Sequence, residues 1–258
     1  MDSILLEKSK NIATVIFNRP EKFNAFNREM ALLLQQVLDD CASDKNIRAV
    51  YITGSGKAFC AGQDLSEVTG ENAPGLNKIL EEHYNPIVTR IRNMQKPVVC
   101  AVNGVAAGAG ANMAFCCDIV VASQSASFIQ AFSKIGLIPD SGGTFILPRL
   151  VGWQKATALM MLGDKVNAAD AEKYGMLYKV FADDVFAVES MKIAATLAAL
   201  PTKGLAYTKL ALNASFNNSF ETQLKTEDAL QYAAANTYDY KEGVQAFLEK
   251  RTPVFKGE

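Results

Sequence analysis

The sequence predicts an α/β protein whose strand-rich first part gives way to a helical remainder. Two observations carry this. Up to Ala122, short apolar runs alternate with stretches of helical periodicity in the order strand, strand, helix, strand, helix, strand, helix, strand. Segments in that order wind sheets with helices packed outside them. From Gly142 onward apolar residues recur at helical spacing, and only Tyr178 to Phe181 reads as extended.

The elements follow in order. Ile4 to Glu7 and Ile12 to Phe17 are predicted strands joined by a polar turn, and Asn18-Arg19-Pro20 ends the second. Asn27 is a good cap for a helix with Met30, Leu33, Leu34, Val37, Leu38 and Cys41 at helical spacing. A strand is predicted over 48–53, closed by Gly54-Ser55-Gly56. A polar loop from Ser66 to Pro74, expected to be mobile, precedes a predicted helix over 76–94. The apolar strand Val98 to Val102 breaks at Asn103-Gly104, and small residues lead into a helix from Ala109 through Phe115 and a strand at 119–122. Helices are then predicted over 144–151, 154–162, 168–174, 186–200, 204–213, 220–236 and 240–250.

Composition removes several function classes. The 258 residues are 49% hydrophobic and 21% charged with a formal net charge of −1, ordinary for a soluble globular protein and without the basic run a nucleic-acid partner needs. Pro97 to Cys117 carries no charge, but its asparagines and alanine/glycine pairs make it too weakly apolar to span a membrane. The start of the chain lacks a basic region and cleavage signature, so a cytoplasmic location is expected. Five cysteines without a CxxC pair read as buried, reduced thiols, and no ligand cluster suggests a metal. Cys60 beside Ala61-Gly62 is a conceivable nucleophile, yet nothing pairs it with the single histidine, His83. Gly104 to Gly110 does not fit GxGxxG, and neither a GxxxxGK[ST] nor a GxSxG is present.

What remains is a pair of glycine-rich turns. Small residues at the junction 103–109 let another molecule approach the backbone, and the first amides of the following helix have no partner inside it. Ile138-Pro-Asp-Ser-Gly-Gly-Thr144 adds a second turn with a carboxylate, Asp140. Donors in one turn and an acid in the next can stabilise an enolate and move its proton. Asp140 has a plainer reading as a cap of the next helix, and Asn112 one as a core hydrogen-bonder.

Four segments together resemble the crotonase (enoyl-CoA hydratase/isomerase) superfamily: Asn18-Arg-Pro-Glu-Lys-Phe-Asn-Ala25, Lys57-Ala-Phe-Cys-Ala-Gly-Gln-Asp-Leu65, Val98 to Gly110, and Gly136-Leu-Ile-Pro-Asp-Ser-Gly-Gly-Thr144. Within it, Glu82 to Ile87, Gln130 to Asp140 and Gly243 to Arg251 are most similar to the phenylacetate-pathway branch that isomerises ring-1,2-epoxyphenylacetyl-CoA. The resemblance implies a spiral of ββα units over 1–195 and a helical region over 196–258 that trimerises, as a homotrimer or dimer of trimers, and covers the CoA pocket. No cofactor is implied, since coenzyme A is part of the acyl-CoA substrate. By position the oxyanion hole falls on the amides of Gln63 and Ala109, with Gly108 beside it. Lys22, Phe23, Ala25, Lys57, Ala61, Asp64 and Leu65 fall where family members contact CoA. Phe247, Lys250, Phe255 and Lys256 fall where the tail reaches a neighbouring subunit's CoA.

Departures from the family pattern point to the reaction. Hydratases use two glutamates to position water, and here those positions hold Asn112 and Phe132. Asp140 matches an aspartate of isomerase branches, and a single acid/base can move a proton between carbons without water. Asn112 is then expected to orient the substrate, and Tyr84 and Phe132 to line an aromatic acyl pocket or simply pack in the core. The competing readings are a hydratase with another base and a crotonase-fold binding module without chemistry.

Overall fold

The computed structural model describes residues 2–69 and 73–258. Strands β1 (Ile4–Ser9) and β2 (Ile12–Phe17) pair antiparallel, and Asn27 caps α1 (Arg28–Ser43) by accepting the Met30 amide hydrogen. Strands β3 (Ala49–Gly54) and β4 (Ala58–Cys60) follow, then the helical run α2 (Leu76–Ile79), a π-helical turn Leu80–Tyr84, and α3 (Asn85–Asn93). Next come β5 (Val98–Val102), β6 (Val105–Ala107), α4 (Ala109–Phe115), β7 (Ile119–Ser123) and β8 (Ser127–Ile129). After them lie α5 (Gly143–Val151), α6 (Trp153–Leu162), β9 (Lys165–Asn167), α7 (Ala168–Lys173), β10 (Lys179–Phe181) and α8 (Phe186–Ala199). Helices α9 (Thr202–Ser215), α10 (Phe220–Ala235) and α11 (Tyr238–Glu249) complete the chain.

The strands form two sheets, β1-β2-β3-β5-β7-β10 and β4-β6-β8-β9: the β1-β2 hairpin lies wholly in the first, and after it each turn of the chain gives one strand to each sheet. That stepwise sharing is the ββα spiral of the crotonase fold. The four strands of the smaller sheet are three residues each, too short to show a period, which is why the sequence reading passes over them.

Alternation along the long strands explains the layers. Val50, Ile52, Val98, Cys100 and Val102 enter the main core with α1, α3 and α4, while Ala49, Tyr51, Val99 and Ala101 face Phe186, Ala194 and Ala198 of α8. Helix α8 therefore stays on the sheet to Ala198, and the expected division at 195/196 falls inside it. The layer changes at Pro201 instead. Helix α9 is held to the core by Lys209, whose ammonium donates to Asp118 (2.8 Å) and to the Ile91 carbonyl (2.7 Å). Arg48 draws the tail back by donating to the Phe255 carbonyl (2.7 Å) and the Leu200 carbonyl (2.6 Å).

Helix α10 buries no residue in the single chain, and Phe220, Tyr232, Phe247 and Leu248 lie exposed nearby in sequence. Among the described residues no helix is long and apolar enough to cross a membrane. The loop expected over 66–74 contains a 3-10 turn at Leu65–Glu67, and its residues 70–72 lie outside the described residues.

Candidate active site

The first two sequence motifs lie side by side. The Ala61 amide donates to the Phe23 carbonyl (3.0 Å), Phe26 to Gly62 (2.7 Å), and Asp64 to Phe26 (2.8 Å). This ladder brings Lys22, Phe23, Ala25, Ala61, Asp64 and Leu65 together. Lys22, Phe23, Ala61 and Leu65 are exposed, as is Lys57, whereas Ala25 and Asp64 are buried. Asp64 is fixed within the protein, bonded to Arg19 (3.0 Å) and to the Ser66 hydroxyl (2.6 Å), and Ser66 and then Arg19 hold its carboxyl below the ordinary range. A carboxylate so engaged supports the turn.

Between Phe26's two bonds sits Gln63, whose own main-chain N–H has no partner among the described residues. The amide of Ala109, first residue of α4, is likewise without one. The two meet at Gly62: a methyl group on that residue would stand 3.0 Å from the Ala107 carbonyl oxygen and 3.7 Å from the Ala109 nitrogen. Gly62 (φ 91°) and Gly108 (φ 52°) both adopt backbone that side chains rarely follow, so glycine is what permits the approach. A pair of open N–H groups is an anion cradle, the geometry that stabilises a developing oxyanion.

The acid stands one helical turn away. Asn112 donates to the Asp140 carbonyl (2.9 Å) and accepts from Gln130 (2.8 Å), and it is 0% exposed. With no surface to offer, Asn112 has no face for a substrate. It ties α4 to the Asp140 turn, which corrects the expected substrate contact. The same turn receives the Cys116 thiol at the Ser141 carbonyl (3.4 Å) and the Gly143 amide at the Asp140 carbonyl (2.8 Å). The Asp140 carboxylate accepts the Ser141 hydroxyl (2.8 Å) and has no cation partner among the described residues. Burial pushes it above the ordinary carboxyl range. It does not cap α5, whose N-cap is Gly142 without a side-chain bond.

Phe132 is buried, its ring edge 3.6 Å from where a Gly108 side chain would begin, so it closes the site from the side of the smaller sheet. Tyr84 is 1% exposed and packs against Phe26, with its hydroxyl bonded to the Gln63 side chain (2.8 Å). It belongs to the core rather than to an open pocket wall. In the tail, the Lys256 ammonium lies over the Tyr238 ring (4.2 Å), while Phe247 is exposed. Burial pushes the Cys60 thiol up to about 12, unlike a reactive thiol. The links Arg19–Asp64 and Tyr84–Gln63 escaped the sequence reading, because each joins residues from separate motifs with no fixed spacing.

Comparison with known proteins gives the chain a family. The Enoyl-CoA hydratase/isomerase family profile matches residues 7–258. The 1,2-epoxyphenylacetyl-CoA isomerase of Escherichia coli (strain K12) is 46% identical over 262 residues, covering 100% of both chains. The 2,3-dehydroadipyl-CoA hydratase of the same organism is 33% identical over 257 residues, again covering 100% of both. A crystal structure of an enoyl-CoA hydratase from Bacillus anthracis superposes with a TM-score of 0.92 at 31% identity, covering 99% of this chain and 100% of that one. The chain is an enzyme of the enoyl-CoA hydratase/isomerase family, the crotonase superfamily.

Proposed function

We propose that the enzyme isomerises acyl-CoA thioesters, converting ring-1,2-epoxyphenylacetyl-CoA to oxepin-CoA, 3-enoyl-CoA to 2-enoyl-CoA, or both. The observation that carries this reading is a buried carboxylate with no cation partner among the described residues. Asp140 lies on the turn that Asn112 ties to α4, while Asn112 and Phe132 stand where the family resemblance places the hydratase glutamates. In the double-bond reaction the thioester oxygen lies between the N–H groups of Gln63 and Ala109. Asp140 removes a proton from carbon 2, the electron pair moves onto the carbonyl oxygen, and the two amides hold that charge. The proton then returns to carbon 4 as the double bond forms between carbons 2 and 3, so nothing is added or lost. With the epoxide, the same cradle holds the carbonyl while the ring opens. The raised Asp140 carboxyl suits the task, since a base nearer in pKa to the proton it takes transfers it more readily.

Lys22 and Lys57 are assigned to the CoA phosphates, with Phe23, Ala25, Ala61 and Leu65 around the nucleotide. The exposed face of α10 supports a homotrimer or a dimer of trimers, and a cytoplasmic location completes the reading. The similarity to the E. coli epoxyphenylacetyl-CoA isomerase favours the aromatic substrate. Product analysis by mass spectrometry and NMR against epoxyphenylacetyl-CoA and a straight-chain 3-enoyl-CoA, run in heavy-oxygen water, tests it. Isomer of unchanged mass is expected. Incorporated label would show hydration and overturn the reading.

A further inference from the structure

Gln63 is gripped more fully than a hole donor needs from its own strand. Both of its main-chain neighbours are bonded to Phe26, at 2.7 and 2.8 Å. Its carboxamide oxygen accepts the Tyr84 hydroxyl at 2.8 Å, and its carboxamide nitrogen donates to Glu67 and to the Asp64 carbonyl, each at 3.3 Å. Glu67 in turn accepts the Arg28 amide, the first of α1, at 2.9 Å. The main-chain N–H is thus the residue's one open donor. Tyr84 reaches it from the last position of the π-helical turn Leu80–Tyr84, a wide turn of a kind that recurs at functional sites.

We infer that Tyr84 is a positioning residue, whose hydroxyl locks the Gln63 carboxamide so that the Gln63 main-chain N–H stays aimed at the thioester oxygen. This rests on the reading of Gln63 and Ala109 as an oxyanion hole. Burial fits the role, because a phenol with no access to water keeps its proton and keeps donating. The ring packs, tilted, against Phe26, whose main chain bonds both neighbours of Gln63, so these two residues hold the side chain and the flanking backbone of the donor.

The test compares full-length wild type with Tyr84→Phe, Gln63→Leu and the double variant, none of which removes the main-chain amide. Turnover of a straight-chain 3-enoyl-CoA is measured, and the infrared carbonyl stretch of a bound, carbonyl-labelled acyl-CoA reports polarisation directly. Wild type is expected to shift the stretch to lower frequency. Tyr84→Phe is expected to lose part of that shift and about tenfold in kcat with KM within about twofold, a fraction of what deleting a hole donor costs. The double variant should lose no more than the worse single one, since both remove the same contact. An unchanged stretch and kcat in Tyr84→Phe, or losses that multiply in the double variant, would overturn the inference. Should Tyr84→Phe not fold, Gln63→Glu, which keeps an acceptor for Tyr84, set against Gln63→Leu, which does not, reads the same contact from its other end: equal stretch and kcat in the two would overturn the inference. A wild-type carbonyl with no shift would instead overturn the hole itself.

Discussion

Two turns of the site, each carrying an aspartate, use it in opposite ways. In the turn at 61–67 the acid is engaged and the amide is open: Asp64 is bonded to Arg19 and Ser66, while the Gln63 N–H faces no partner. In the turn at 140–143 the main chain is closed and the acid is open. Asn112, Cys116 and Gly143 take its carbonyls, and the Asp140 carboxylate accepts a hydroxyl and has no cation partner among the described residues. Their pKa values diverge accordingly, Asp64 downward and Asp140 upward. Groups of one type pushed apart by their surroundings reveal the division of labour. One turn is built to donate and the other to accept.

The sharpest break in that comparison comes from Asp140→Asn, which should lower turnover about 10³-fold with little change in CoA-ester affinity. Its folded-state pKa is raised, so the native carboxyl costs stability as pH rises from the ordinary carboxyl value through the raised one. Asn does not titrate, and the variant should therefore melt no lower than wild type at neutral pH, an advantage that fades on acidification. Steady-state kinetics and melting curves across pH check both halves. Undiminished turnover would remove Asp140 from the mechanism.

Ala109→Pro removes the other donor while keeping a residue suited to the first position of a helix. A loss of about 10²-fold in kcat with retained far-ultraviolet circular dichroism is expected. Full activity would mean that the thioester oxygen binds elsewhere. Asp64→Asn sharpens the contrast from the opposite side. It should cost about 2 kcal/mol of stability by unpairing Arg19, with kcat changed by less than about threefold. Because the Asp64 pKa is lowered by folding, that deficit should be full above the ordinary carboxyl value and shrink as pH falls through the folded one. Denaturant unfolding at several pH values measures it.

Much of this was legible in the residues. The long strands, α1 with its Asn27 cap and α4 lie where periodicity and capping place them, because each obeys a local rule. The smaller sheet was not legible, since three-residue strands such as Ala58–Cys60 are defined by their neighbours rather than by a pattern. The open amides follow from a helix start and a glycine turn. Which polar residue holds the framework and which faces the ligand depends on burial, and burial moved Asn112 and Asp64 to the framework. The π-turn that delivers Tyr84 to Gln63 leaves no mark in the sequence at all.

Helix α4 carries Ala109 at its start and, one turn on, the Asn112 that grips the Asp140 backbone. The Ala109 half of the cradle and the base are therefore tied to one helix. On the proposed chemistry, such a base approaches the planar enolate from one side only, so the hydrogen lifted from carbon 2 is set down on carbon 4 without crossing the plane. The migration is then suprafacial, its face set by the hydrogen bonds from Asn112, Cys116 and Gly143 that fix the Asp140 turn.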